Sequence, residues 1–123
     1  MTFYTSPEVV VQRQLDAYNA KDLRRWLSVY ASDARLFEHP GRLLANGHDE
    51  IRQRSELRFL EPNLNARLLR REVFGNMVVD HEDVTRTFPD GPGKMEMVCI
   101  YQVESGLIQT ASFVFGPQVL DVS

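Results

Sequence analysis

The hydrophobic period of this chain changes once, at Pro62, and that change limits the possible folds more than any other feature. Before Pro62, apolar residues recur at three- and four-residue spacings, as one buried face of a helix requires. After it they alternate, as a strand with one covered face requires. Val11, Gln14, Leu15 and Tyr18 mark the first helical face. Ser6-Pro7-Glu8 opens that helix with a capping hydroxyl, a preset φ and an acid at the positive end of the dipole. Asn19-Ala20-Lys21 interrupts the pattern. Asp22 then caps a second helix, with Leu23, Trp26, Leu27 and Tyr30 on one face, predicted to run to about Tyr30. Residues 34–39 read as a short extended segment ended by Pro40-Gly41. Asn46-Gly47 opens a third helix striped by Ile51, Ser55 and Phe59.

Beyond Pro62, residues 66–74 and 77–88 flank the tight-turn pair Gly75-Asn76, and residues 94–104 and 107–115 flank Ser105-Gly106. Residues 89–93, Pro-Asp-Gly-Pro-Gly, read as a looser loop between two hairpins. Successive hairpins predict an antiparallel meander. The expected architecture is α+β: three helices on the concave side of one curved antiparallel sheet, in a single domain over residues 1–123. A bent sheet closed by helices leaves a concave space, the natural place for a small-molecule pocket.

Composition excludes several partners. Fourteen Lys and Arg against seventeen Asp and Glu give a net charge of −3, and no basic run suggests nucleic acid. No apolar stretch is long enough to cross a membrane, and Met1 to Glu8 lack the charged and apolar regions of a secretory leader. The single cysteine, Cys99, cannot close an internal disulfide, so a cytoplasmic location is expected. His39, His48 and His81 are scattered, and no metal or other cofactor is expected. Neither a phosphate-cradling glycine loop nor a nucleophile elbow is present.

Three places carry polar groups where the pattern asks for apolar ones. Gln14 interrupts the first helical stripe, either as a donor to a ligand or as a structural bond to nearby backbone. Glu38 and His39 sit side by side before Pro40, and because strand neighbours face opposite ways only one of them can point inward. An inward carboxylate among apolar groups is raised toward the range of a general base, while an inward histidine needs no shift. The third place is Asp80-His81-Glu82-Asp83-Val84-Thr85-Arg86. Asp80, Glu82, Val84 and Arg86 share one face of that strand, and Val79, His81, Asp83 and Thr85 the other. Alternation does not say which face is covered. Tyr18 and Trp26 from the helical stripes, with Cys99 and Tyr101 from the run Met97-Val98-Cys99-Ile100-Tyr101, complete the expected substrate-binding set of Gln14, Asp80, Glu82 and Arg86.

These segments have a familiar order. Val10-Val11-Gln12-Arg13, Ala17-Tyr18-Asn19-Ala20-Lys21-Asp22-Leu23 and Tyr30-Ala31-Ser32-Asp33-Ala34-Arg35-Leu36 come first. The Pro40-Gly41 turn, the Gly47 helix start, Ile100-Tyr101-Gln102-Val103 and Gly106-Leu107-Ile108 follow. In this the chain resembles the nuclear transport factor 2-like superfamily, and within it the SnoaL-like and ketosteroid-isomerase-like group. The resemblance implies a cone-shaped, cystatin-like α+β fold with an apolar pocket, and commonly a homodimer through the outer sheet face. It implies a catalytic base near Glu38 or His39. It also implies a tyrosine donor where Gln14 stands and an aspartic-acid donor where Cys99 stands. The chain departs from the family at both donors, and a thiol is the weaker donor.

Two functions are compatible with these residues. One is an isomerase- or cyclase-type enzyme that removes a proton next to a carbonyl of a small hydrophobic molecule, with Glu38 or His39 as base and Gln14 and Tyr18 polarising the substrate oxygen. The other is a non-catalytic ligand-binding or dimeric assembly domain, whose charged strand serves an interface.

Overall fold

A computed structural model describes residues 5–121. Among these residues the chain forms three helices and six strands: α1 (Pro7–Ala20), α2 (Leu23–Ser28), β1 (Tyr30–Glu38), β2 (Arg42–Asn46), α3 (Gly47–Arg58), β3 (Asn65–Phe74), β4 (Met77–Phe88), β5 (Gly91–Glu104) and β6 (Leu107–Leu120). The strands make one curved, open sheet in the order β2-β1-β6-β5-β4-β3, with the helices packed on one face. No described helix is long and apolar enough to cross a membrane.

The meander β3-β4-β5-β6 is antiparallel throughout. The sheet as a whole is mixed, because β1 joins β6 in parallel while β2 pairs with β1 in antiparallel fashion. This differs from the wholly antiparallel sheet expected. Residues 30–38 return from the helical half of the chain and enter beside the last strand, so their direction is set by the helices that precede them.

Ser6 holds extended geometry at the start of α1 without a side-chain cap bond, whereas the Asp22 carboxylate accepts from the Arg25 N–H at 3.1 Å. The second helix stops at Ser28, short of Tyr30. The sheet claims the backbone there: the Ile108 N–H donates to the Val29 carbonyl at 2.8 Å, and Tyr30 pairs with Ile108. Gly47 starts α3 with φ +81, a conformation other residues rarely adopt. Pro89-Asp90 forms a tight turn, and β5 resumes at Gly91. The glycines after it work inside the sheet. A Cβ at Gly93 would run into the backbone of Val119, and one at Gly116 would lie 2.6 Å from the Glu96 carbonyl. That close approach, with a register shift between Met95 and Met97, carries β6 on to Leu120.

The core lies between the helices and the concave sheet face. Val10, Val11, Ile51, Val78, Tyr101 and Ile108 are among its buried residues. Three aromatic rings, one from each helical segment, close one end. Tyr18 and Trp26 lie 5.5 Å apart, and the Phe59 ring is 5.7 Å from Trp26 and 5.8 Å from Tyr18. Edge-to-face contacts of this kind add to the area they bury.

Candidate functional site

The buried face of β4 is the one carrying Val78, Asp80, Glu82 and Val84. Its cross-strand partners on β5 are Tyr101, Cys99, Met97 and Met95. Alternation therefore projects two carboxylates into the space beneath the helices, a costly arrangement unless each is answered.

Asp80 is answered. It is 0% exposed, and Arg71 of β3 grips both its oxygens, at 2.7 and 2.9 Å. Arg71 also reaches α1, donating to the Gln12 Oε1 at 2.9 Å. The hydrogen bond to Asp80 holds the Arg71 guanidinium further in its charged form. The pair is a structural fork joining β3, β4 and α1.

Glu82 is not answered by any cation among the described residues. It is 5% exposed and lines a cavity of ≈ 90 Å³. Burial pushes its carboxyl up to about 7, and neighbouring Asp80 adds to the rise while Arg71 opposes it. The Cys99 thiol lies beside it and is itself raised, first by burial and then by Glu82. Around this carboxylate the wall is largely apolar, formed by Leu36, Val84, Met95, Met97, Phe113 and Phe115.

Gln14 organises the phenol donors. Its amide nitrogen donates to the Tyr30 hydroxyl at 3.0 Å and to the Tyr101 hydroxyl at 3.2 Å. Both amide protons are thus used on phenol oxygens, which leaves each phenol its own proton to donate onward. Tyr101 and Tyr18 line the cavity, and burial raises both phenols, so they stay protonated donors near neutral pH. The Trp26 indole N–H is buried in the same wall with no acceptor among the described residues.

Of the residues singled out by sequence, Gln14, Tyr18, Trp26, Glu82, Arg86, Cys99 and Tyr101 come together around this cavity. Asp80 lies behind it, held by Arg71. Glu38 and His39, the expected bases, do not line it. Glu38 points toward the rim beyond Leu36, with its side chain 36% exposed and bonded to Arg42 at 3.1 Å, and His39 is exposed at the turn. Glu38 is the last residue of β1, paired with Arg42 and Phe113, and His39 follows it in the turn, so both stand outside the cavity lining. Gln14, expected as a polarising donor, spends both amide protons on the Tyr30 and Tyr101 hydroxyls. Arg54, Ser55, Arg58 and Phe59 of the α3 region also line the cavity and were not singled out as site residues. A signal was there, since Arg54 and Arg58 follow Ile51 at i+3 and i+7, on the face that Ile51 and Ser55 bury.

A pocket walled by three helices on a curved sheet, with one carboxylate lacking an ion pair and phenolic donors inside, is set in an α+β fold of the ketosteroid-isomerase-like kind. The chain belongs to the SnoaL-like domain family, whose model matches residues 11–111. It is a member of the nuclear transport factor 2-like superfamily. No curated protein matches it by sequence. Its fold is similar to that of an uncharacterized cystatin-fold protein from Novosphingobium aromaticivorans, with TM-score 0.81 and 22% identity over 89% of this chain and 97% of that one. A protein of ketosteroid isomerase-like fold from Catenulispora acidiphila, in complex with trimethylamine, matches with TM-score 0.74 and 15% identity over 89% and 85% of the two chains. A candidate polyketide cyclase from Sinorhizobium meliloti matches with TM-score 0.71 and 19% identity over 85% and 93%.

Proposed function

We propose that this chain is an enzyme of the isomerase or cyclase type that removes a proton next to a carbonyl, with Glu82 as the base. One observation carries the reading: Glu82 is a buried carboxylate in the wall of a mostly apolar cavity, without an ion pair among the described residues, and its burial pushes the carboxyl up to about 7. A base matched to the ambient pH is the most effective one for proton transfer from carbon. Tyr101, held by Gln14, and Tyr18 supply protons to the oxygen on which enolate charge develops. This arrangement compensates for the departures at Gln14 and Cys99, because phenol donors come from Tyr101 of β5 and from Tyr18, one turn after Gln14 on α1. The chemistry calls for no cofactor. The similarity of the fold to ketosteroid-isomerase-like and polyketide-cyclase-like proteins agrees with such a reaction. The protein acts on a small hydrophobic carbonyl compound and works as a homodimer in the cytoplasm.

Proton abstraction is testable without the full substrate. Small ketones and 1,3-dicarbonyl compounds are incubated with the protein in deuterium oxide, and exchange at the α-carbon is followed by NMR. The parent is expected to accelerate exchange, and Glu82→Gln to lose that acceleration. Glu38→Gln and His39→Ala are expected to keep it. Exchange no faster than in buffer, or undiminished in Glu82→Gln, sinks the reading in favour of a ligand-binding domain without catalysis.

A further inference from the structure

Beside the inner cavity lies a wider bowl of ≈ 640 Å³, and three arginines line both spaces. Arg54 and Arg58 of α3 and Arg86 of β4 line both. Arg58 is paired with Glu61 at 3.3 Å. Arg54 and Arg86 make no ion pair or hydrogen bond with any described residue, and the Arg86 Nε is buried without an acceptor. Of the other acids at this end, Glu38 is held by Arg42, and Glu50 accepts the Asn46 N–H at 2.9 Å. Burial first, and then the charge of Arg58, weakens the charged forms of Arg54 and Arg86, while Glu38 favours the charge on Arg54 and Glu61 that on Arg86. Arg86 rests over the Phe88 ring at 5.0 Å, but neither it nor Arg54 has a hydrogen-bond acceptor among the described residues, and two such cations facing one opening attract an anion that supplies one.

Size adds a second constraint. The inner cavity is smaller than the void of about 150 Å³ that encloses benzene. A ligand that reaches Glu82 therefore leaves part of its body at the mouth, among the arginines. We propose that the ligand is an organic acid, with a small apolar, carbonyl-bearing head beside Glu82 and a carboxylate held by Arg54 and Arg86. A keto acid meets both requirements. The guanidinium fork suits a planar carboxylate, which accepts two parallel hydrogen bonds. This inference rests on the pocket being the substrate site and names the substrate class.

Trp26 is the only tryptophan of the chain and stands in the cavity wall, so its fluorescence reports binding. The probes are short aryl and alkyl keto acids, each beside its primary amide and its phosphate-ended analogue. The carboxylate is expected to bind roughly ten- to a hundredfold tighter than the amide at low salt. Added salt should shrink that preference. The double variant Arg54→Gln/Arg86→Gln should erase it while still binding the amide. The single variant Arg54→Gln, which leaves β4 intact, should reduce it and guards against a folding defect in the double. Glu82→Gln should keep the preference while losing α-proton exchange, which separates this inference from the catalytic reading. Four results overturn the proposal: equal affinity for acid and amide, a preference that survives the arginine variants, a preference confined to the phosphates, or no carboxylate binding at millimolar concentration.

Discussion

At the scale of single residues the two inward carboxylates of β4 have opposite fates, and each makes a prediction. Asp80 is paired with Arg71, and Arg71→Met leaves that carboxyl group buried without its cation. The expected loss is roughly 3–5 kcal/mol, measured as a fall in the urea midpoint, and Arg71→Met combined with Asp80→Asn should recover much of it. Glu82 behaves the other way. Its carboxyl rises from the ordinary 4.5 to about 7 on folding, so between these values the native state holds a proton that the unfolded chain has released. Stability therefore falls as pH rises through that window, by roughly 3 kcal/mol in all, and levels off above it. The groups facing Glu82 are Asp80, Arg71 and Cys99, and none of them removes the penalty. Glu82→Gln abolishes the window: it should match the parent at low pH and be the more stable protein above pH 7. Catalysis runs opposite to stability, because the base must be ionised, and the rate of α-proton exchange should climb with pH to a plateau above about 7. Equal pH dependence of stability in parent and variant would remove Glu82 as a buried titrating group. Sequence alone placed Glu82 in the site but could not separate its role from that of Asp80, because the parity they share says nothing about Arg71 on the next strand.

At the scale of elements, the helix-to-strand change at Pro62 made most of the fold legible, since burial of one face writes its period directly into the residues. The segments that escaped lacked such a period. The β2 strand, Arg42–Asn46, is an edge strand of five residues with mixed exposure and no alternation to detect. Residues 91–93 and 116–117 looked like strand breaks, yet their glycines let β5 and β6 approach closely. Glu38 and His39 attracted attention as adjacent titratable groups, but adjacency in sequence does not reveal where a strand leaves the pocket. Asn19 is a further instance. It looked like a helix stop, and it is also a brace: its side-chain amide donates to the Ala66 carbonyl at 2.9 Å and accepts the Ala66 N–H at 2.8 Å. This two-bond clasp fixes the end of α1 against the start of β3, next to the small cluster of Leu15, Ala66 and Val84. Asn19→Ala leaves both backbone groups of Ala66 without that partner, and a destabilisation of about 1–2 kcal/mol is expected in chemical denaturation. Faster amide exchange along β3 should accompany it, whereas the α1 amides upstream of Asn19 should stay protected.

At the scale of the whole molecule, the concave and convex faces of the sheet have different duties. The concave face carries the core and the cavity. The convex face has no helix on it, and its centre presents apolar side chains in register: Val79 opposite Ile100, and Val98 between His81 and Val114. Val114 is 39% exposed, and the other three are half-buried in the single chain. His81 and Glu96 bond across this surface at 3.0 Å and give it a polar margin. An apolar patch with a polar rim, left bare on a sheet face, is the arrangement of a self-complementary interface. The proposed homodimer uses it, with two-fold symmetry, so that each residue of the patch is buried once from either side. The cavity mouth, framed by α3 and the end of β4, opens on the other face and stays free in such a dimer. Two consequences follow that can be measured separately. Val98→Glu introduces a charge into the patch of both copies at once, and sedimentation should show a monomer where the parent is a dimer at micromolar concentration. Carboxylate binding read by Trp26 should then change little, because the cavity lies on the concave side of the sheet, away from the patch. A parent that sediments as a monomer removes the convex face as an interface. Loss of binding on dissociation, with the monomer still folded by circular dichroism, would instead mean that the partner copy shapes the pocket through the sheet.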